Sequence, residues 1–318
     1  MSTFIFRRLL QVPVILLVIY TIAFALAWLA PGNPLDNPDG RRPPPEIEEA
    51  MRSRYKLDNP VDFYFDYLGK ATGISWAIGL HDRPFDLGPS LKHPDWSVNE
   101  ILADGIPVSL TIGLAAMLIA LGVGLSAGII GALKPGTVSA GSTELLAIAG
   151  ISLPGFVVSA LLLIVFAAKL RIAPVGGWTG VRSMVLPAVA LSLPFAAYIA
   201  RLARSSLMEQ MSSDHLRTAR AKGLSRTQSL TRHALKNAFL PVLSYLGPAT
   251  AAAVTGSFVV EKVFAVPGIG QHFVDAVLGK DITLIMGVVL VFSTLLVLLN
   301  LAVDVLYAWV DPRIDVAQ

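Results

Sequence analysis

Leu9 to Ala30 (LLQVPVILLVIYTIAFALAWLA) runs for about 22 residues without a charged side chain, directly after Arg7 and Arg8. At about 1.5 Å per residue, a helix of that length crosses a hydrocarbon core of ~30 Å. Five further apolar stretches follow: Val108 to Leu133, about Leu145 to Ala168, about Met184 to Leu202, about Val242 to Val260, and Ile282 to about Tyr307. The expected fold is therefore an all-α polytopic membrane protein with six transmembrane helices. Composition agrees, with 54% hydrophobic and 15% charged residues. A basic start, an apolar run and Ala25-Leu26-Ala27 also describe a cleavable signal peptide, but the run is long for one. A retained helix with its N-terminus in the cytoplasm is the better reading.

Residues 31–105 differ in kind. PGNPLDNPDGRRPPP consists of turn formers, and EIEEAMRSRYKL after it places Ile47, Met51 and Leu57 roughly on one helical face. Aromatic residues follow at Phe63, Tyr64, Phe65, Tyr67 and Trp76. This is enough apolar surface for a small element at the membrane mouth, though not for an independent domain. Acidic residues outnumber basic ones here, which fits the external side. Asn99 and Glu100 are expected to cap a helix at the interface.

Within the spans, Gly124 and Gly128 form a small-xxx-small pattern for close helix packing. Pro154-Gly155 interrupts the third span, and Pro187 and Pro194 are expected to kink the fourth. Ser152, Ser159, Ser192, Thr250 and Ser257 are candidates to line a pathway, although a hydroxyl on an apolar helix more commonly bonds to its own preceding turn. Glu261, at the outer end of the fifth span, is read first as an interface carboxylate paired with Lys262 or water, and second as a gate residue. Asp304, on one face with Asn300, is read as a structural partner of the basic loop.

That basic loop is the most informative polar stretch. From Arg201 to Lys236 the basic residues are Arg201, Arg204, Arg217, Arg220, Lys222, Arg226, Arg232 and Lys236, against the acids Glu209 and Asp214. Positive-inside bias puts it in the cytoplasm. Asp214 is placed to cap a helix that ends at Gly223, and Ser225 with Gln228 forms a capping box that starts a second helix towards Pro241. The loop could also be a basic helix pair resting on anionic lipid, but charge alone predicts neither the caps nor the glycine.

The segment RTARAKGLSRTQSLTRHALKNAFLP resembles the cytoplasmic loop of permease subunits of ATP-binding-cassette importers. The family consensus is Glu-Ala-Ala, three residues, Gly, nine residues, then Ile-x-Leu-Pro. With Gly223 on the family glycine, Ala219, Gly223 and Leu235 match, and Arg217 stands where the consensus has Glu. The Arg-Thr-Ala-Arg-Ala-Lys-Gly form is similar to that of the peptide-transporter branch. LAPGNP after the first span, KLDNP at 56–60, DLGPSLKHPDWSVNEILADGIPVSLTIG from Asp86, and VEKVFAVPGIGQ from Val260 resemble oligopeptide and dipeptide permease B subunits. The resemblance covers nearly the whole chain.

That resemblance implies a division into 1–30 (first helix), 31–105 (external segment) and 106–318 (five-helix core with a coupling loop at 203–240). Arg217, Thr218, Ala219, Arg220, Ala221, Lys222, Gly223 and Leu224 would contact the ATPase. It implies a second permease chain, two cytoplasmic ATPase subunits or domains, an external solute-binding protein delivering peptide, and a bacterial inner-membrane location with both termini inside. ATP and Mg would be bound by the partner subunits. The chain itself shows no phosphate-binding loop, metal cluster, catalytic triad or cysteine, so it is expected to be no enzyme, to bind no cofactor and to engage no nucleic acid. Other readings are a nickel chelate, glutathione or peptide antibiotic as cargo, a secondary transporter, and a membrane scaffold.

Overall fold

The computed structural model describes residues 2–36, 44–93, 95–133, 137, 141, 150, 152–230, 234–255 and 257–310. Among these, five helical stretches are long and apolar enough to cross a membrane: Arg8–Leu29, Val98–Leu133, Val181–Ser212, Leu235–Val263 and Ile282–Val303. Of the expected third span, the described part is the shorter apolar helix Gly155–Lys169, and most of 145–151 lies outside the described residues. The helices are α1 (Ser2–Leu29), α2 (Pro45–Arg54), α3 (Pro60–Ala71), α4 (Ile74–Ala77), α5 (Val98–Leu133), α6 (Gly155–Leu162), running into a π-helical segment Leu163–Lys169, α7 (Val181–Ser212), α8 (Asp214–Ala221), α9 (Arg226–Ser229), α10 (Leu235–Ala238), α11 (Leu240–Thr255), α12 (Phe258–Val263), α13 (Ile269–Gly279) and α14 (Ile282–Val310). The chain divides into two compact units, Ser2–Val108 with Pro267–Val297, and Ser109–Val266 with the chain from Leu298.

In the first of these, α3 is started by Asn59, whose Oδ1 accepts from Val61 N at 3.0 Å, with Pro60 at the first helical position. Phe63 and Tyr67, four apart, form its buried face. They join an aromatic cluster with Tyr20, Phe24 and Trp28 of α1, in which Phe63 and Tyr67 stack at 5.7 Å and Phe24 and Phe63 at 6.0 Å. Tyr67 donates from its hydroxyl to Thr283 O at 2.9 Å. A Cβ added at Gly287 would stand 2.4 Å from Val98 Cγ1, so the start of α5 reaches α14 only because residue 287 has no side chain.

Polar ties hold the same unit together. The Asp281 carboxyl is fully buried and acts as N-cap of α14, accepting from Leu284 N at 3.0 Å. Its other oxygen accepts from Ser90 Oγ at 2.5 Å and Lys92 N at 3.2 Å. Thr283 Oγ1 stands 2.9 Å from Asp281 Oδ1 and 2.7 Å from Pro89 O. Lys280, in the left-handed region at φ 56°, donates to the Ala30 carbonyl and, at 2.7 Å, to that of Gly32, placing a cation on the C-terminal end of α1. Glu100 caps as expected, accepting from Ser97 N and Oγ at 2.9 and 2.7 Å. Asn99 instead straps the preceding loop through Leu87 N and Phe85 O, both at 2.9 Å.

In the second unit, Gly124 and Gly128 do what the small-xxx-small pattern predicts. A Cβ would come within 2.7 Å of Ala196 O at the first and 2.6 Å of Ala200 O at the second, so α5 and α7 meet backbone to backbone. Tyr198 and Tyr245 stack α7 on α11 with ring centroids 4.4 Å apart. Helix α7 runs through Pro187 and Pro194 and continues ten residues past Leu202, the expected end of the span, to Ser212. Hydropathy falls at Arg201, but backbone bonding does not need apolar side chains, and the residues after it are adequate helix formers.

Candidate functional site

The basic loop is built on an apolar floor. Helix α8 turns Leu216 inward, 1% exposed, against Leu207 of α7, Ala132 of α5, and Ala234 and Ala238. Ile129, Met211, Leu230 and Leu235 close around this cluster. One leucine thus fixes the height and rotation of an otherwise polar helix. An open apolar cleft of about 340 Å³ beside the floor is lined by Leu125, Ile129, Ala203, Leu207, Ala238 and Phe239, among others.

The opposite side is polar and exposed. Arg217 is 75% exposed and its Nη1 is 3.4 Å from Asp214 Oδ1, itself 95% exposed. Thr218 Oγ1 donates to Asp214 O at 3.0 Å, and Ala221, Lys222 and Gly223 are exposed while Leu224 is half-buried. The backbone of Ala219 and Arg220 is helical, and their side chains lie outside the described residues.

The turn out of α8 follows the expected chemistry. Gly223 has φ +89°, a conformation L side chains rarely adopt, and no atom lies within 4 Å of where its Cβ would be. Backbone conformation, rather than space, is what selects glycine there. Ser225 N then donates to Gln228 Oε1 at 3.1 Å and Gln228 N to Ser225 Oγ at 3.2 Å, a reciprocal capping box that starts α9. One assignment shifts. Ser213, extended at φ −72° and ψ 150°, occupies the cap position, and Asp214 is the first helical residue, where its charge still favours the helix N-terminus. Beyond Leu230, Thr231 to His233 lie outside the described residues, and α10 and α11 carry the chain through Pro241.

The dispersed candidates do not assemble into one site among the described residues. Ser159 Oγ donates to Gly155 O at 2.8 Å, Ser192 Oγ to Val189 O at 2.8 Å and Thr250 Oγ1 to Leu246 O at 2.6 Å, each satisfied by its own helix. Ser152 is exposed. Ser257 and Glu261 do meet: both are fully buried, and Ser257 Oγ donates to Glu261 Oε1. Of the two partners expected for this carboxylate, Lys262 or water, burial removes water, and Ser257 is a partner the sequence reading did not give it. The turn after α12 folds back, with Val266 N on Glu261 O at 2.9 Å and Gly177 N 3.2 Å from the carbonyls of Phe264 and Ala265. The side chain of Asp304 lies outside the described residues.

A long helix thus passes from a membrane span into a capped, basic loop that presents its charged side outward. The model of the family described as "binding-protein-dependent transport system inner membrane component" matches residues 124–316, and that of its N-terminal region matches residues 1–114. This chain belongs to that family. The permease is 43% identical over 317 residues to the oligopeptide transport system permease protein OppB of Escherichia coli (strain K12), covering 99% of both chains. It is 38% identical over 314 residues to the dipeptide transport system permease protein DppB of Bacillus subtilis (strain 168), covering 99% of this chain and 98% of the relative. Among solved structures, an inward-facing MetNI methionine ABC transporter aligns with TM-score 0.56 at 19% identity, over 67% of this chain and 97% of that one. That likeness shows a shared membrane fold.

Two features of the permease escape a reading by hydropathy. Leu216 is a lone leucine among polar residues, and only its burial reveals it as the loop's anchor. Asp281 carried a signal, an Asp three residues before Leu284 at the start of an apolar helix, which is N-cap spacing.

Proposed function

We propose that this permease carries peptides, oligopeptides or dipeptides, across the bacterial inner membrane as one subunit of an ATP-driven importer. The near-full-length similarity to OppB and DppB carries this reading. A second, related permease chain completes the pathway. An external solute-binding protein delivers cargo to the 31–105 side, and two cytoplasmic ATPase subunits or domains bind ATP and Mg and perform the hydrolysis. Both termini are cytoplasmic, and the chain is organised as first helix, external segment and five-helix core with its 203–240 loop.

In this reading Arg217 to Leu224 seat on the ATPase. The exposed upper face of α8 is the contact, and the Leu216 floor passes its displacement to α7 and α5. Because α7 is helical from Val181 to Ser212, a push at the loop arrives at the fourth span as tilt. Alternating access then needs ATP and cargo to favour different states, with coupling free energies of roughly 1–3 kcal/mol. The buried Ser257–Glu261 pair is the best placed of the gate candidates, as an ionisable group inside a membrane-spanning stretch.

The test is purification of the tagged chain with its companion subunits, with and without Arg217 to Gly223 replaced by a flexible linker. The expected outcome is an ATPase that co-purifies with the intact chain and is lost with the linker, together with peptide uptake in vesicles. An ATPase retained by the linker variant would remove the loop's assigned role, and a chain that transports alone would return a secondary transporter.

A further inference from the structure

The segment after α3 has a surface that the transport reading does not use. Ile74, Trp76, Ile78 and Leu80 are 58%, 52%, 64% and 77% exposed, and Val61 and Phe65 of α3 are exposed beside them in the sequence. Six large apolar side chains within twenty residues are turned outward in a chain whose other large exposed apolar groups lie mostly on its membrane spans.

The level of α3 is fixed twice. Its Tyr64 carbonyl accepts from Tyr20 Oη at 2.7 Å, and Tyr64 Oη pairs with Thr21 Oγ1 at 2.8 Å. Tyr20 is about 18 Å along α1 from the charged Arg8, still inside a core of ~30 Å. Tyr67, on the same face of α3, bonds the carbonyl of Thr283 at 2.9 Å, one residue into the span Ile282–Val303. The first relation sets α3 below the end of α1 and the second sets it at the mouth of α14. Together they put it at the boundary of the bilayer.

The backbone and the charges suit that boundary. Ala77 N bonds Gly73 O at 3.0 Å, Ile78 N bonds Ile74 O at 3.1 Å, Gly79 N bonds Trp76 O at 3.0 Å and Leu80 N bonds Ser75 O at 2.8 Å, so the four amides from Ala77 to Leu80 are already satisfied. On α3, Asp66 and Lys70 are turned about 100° or more away from Val61 and Phe65. Asp66 is held between Lys56 and Lys70 at 2.6 and 2.7 Å. Immediately after Leu80 the chain returns to polar pairing, with His81 Nε2 2.7 Å from Asp86 Oδ2. Exposed apolar side chains that include a tryptophan, with ion pairs on the flank, are the features of an interfacial anchor.

We propose that Ile74–Leu80, with Val61 and Phe65, is seated in the lipid headgroup and upper acyl region of the leaflet at the C-terminal end of α1. On α1, Thr21, whose hydroxyl meets that of Tyr64 of α3 at 2.8 Å, and Ile22 after it are exposed, so α3 lies beside an outward-facing part of an apolar span. The anchor ties the 31–105 segment to the bilayer independently of which solute is carried.

The chain contains no cysteine, so single thiols report cleanly. Ile78→Cys and Leu80→Cys are spin-labelled in the full-length chain with its co-purifying subunits, in phosphatidylcholine–phosphatidylglycerol vesicles. Leu26→Cys is the lipid reference, Asp82→Cys the water reference, and the unsubstituted chain gives the background. Accessibility to oxygen above that to a water-soluble nickel chelate at 78 and 80, as at 26 and opposite to 82, is the expected result. Nickel accessibility equal to that at 82 overturns the proposal. Exclusion of both reagents, relieved when companion subunits are removed, overturns it in favour of a protein partner. Should the labelled variants fold poorly, Trp76→Phe serves instead: quenching of tryptophan fluorescence by brominated phosphatidylcholine should fall relative to the unsubstituted chain, and unchanged lipid quenching with reduced iodide quenching overturns it. Neither readout involves ATP or transport, so failure here and failure of the importer reading are separate results.

Discussion

Asp281 and Leu216 anchor their surroundings by opposite means. Around Asp281 the interior is polar: one buried carboxyl gathers Ser90, the Lys92 amide, Thr283 and the Leu284 amide, tying residues nearly two hundred positions apart. Around Leu216 the interior is apolar, and every polar group of α8 with a described side chain faces outward. Directional bonds set one geometry and spend all their partners inward. An apolar floor fixes position while leaving charges free to meet another molecule. The first plan suits a segment that must hold its shape, and the second a helix that must present a surface.

The sharpest way to break this contrast is at the polar anchor. Asp281→Ala leaves the Ser90 hydroxyl and the Leu284 amide without the carboxylate in a buried site and removes the cap of α14, and should cost about 3 kcal/mol or more. Thermal unfolding of the detergent-purified chain and faster proteolysis within 31–105 would show it. A variant as stable as the parent would mean that the apolar packing of Tyr67 and Val98 alone sustains this region.

The apolar anchor comes next. Leu216→Ala should cost about 2–3 kcal/mol, as buried leucine truncations do, whereas Arg217→Ala, one residue along, should stay within about 0.5 kcal/mol. Denaturation measures the first difference. Co-purification of the ATPase should reverse the ranking, with Arg217→Ala losing partner at unchanged stability. Equal effects of both substitutions on both measurements would dissolve the distinction between floor and surface.

Gly223→Val tests direction. Forcing a β-branched residue to φ +89° costs about 1–2 kcal/mol or turns the chain elsewhere. Uptake should therefore fall further than stability, as read by ATP-driven transport beside a melting curve, and normal uptake by an assembled variant would show that the angle of the loop does not matter.

The smallest effect expected is one of pH. Burial of Asp66 and of Asp86 works to raise their pKa values, but hydrogen bonds and charge from Lys56 and Lys70 in one case, and from His81 and the Gly88 amide in the other, outweigh it. Both carboxyls are held below their ordinary value. A depressed folded-state pKa stabilises fully above the unfolded value, about 4, and the contribution disappears as pH falls through the folded value. Proteolytic resistance of the 31–105 segment should thus decline below about pH 4, with little change between pH 6 and 8. A decline centred near neutrality would implicate histidine instead.

Much of this is legible in the sequence. Gly223, Ser225 and Gln228 act through bonds within a few residues, so their spacing carried the turn and the capping box with it. Gly124 and Gly128 announced close packing because small residues four apart have few other uses in a span. Gly287 was silent, since nothing local says that Val98 will lie against it.

The apolar runs by themselves determined that the chain is a multi-span membrane protein, since a hydrocarbon core admits few other solutions for such lengths. The motifs determined where its polar loop turns. Only the tertiary structure decided that Glu261 is buried rather than hydrated, that α7 carries its helix ten residues beyond its apolar part, and that Asp281 and Leu216 are the anchors. Capping and spanning are local balances of hydrogen bonding and hydration that a stretch of sequence contains in full. Burial depends on which distant segment arrives to displace water, and no window of sequence records that.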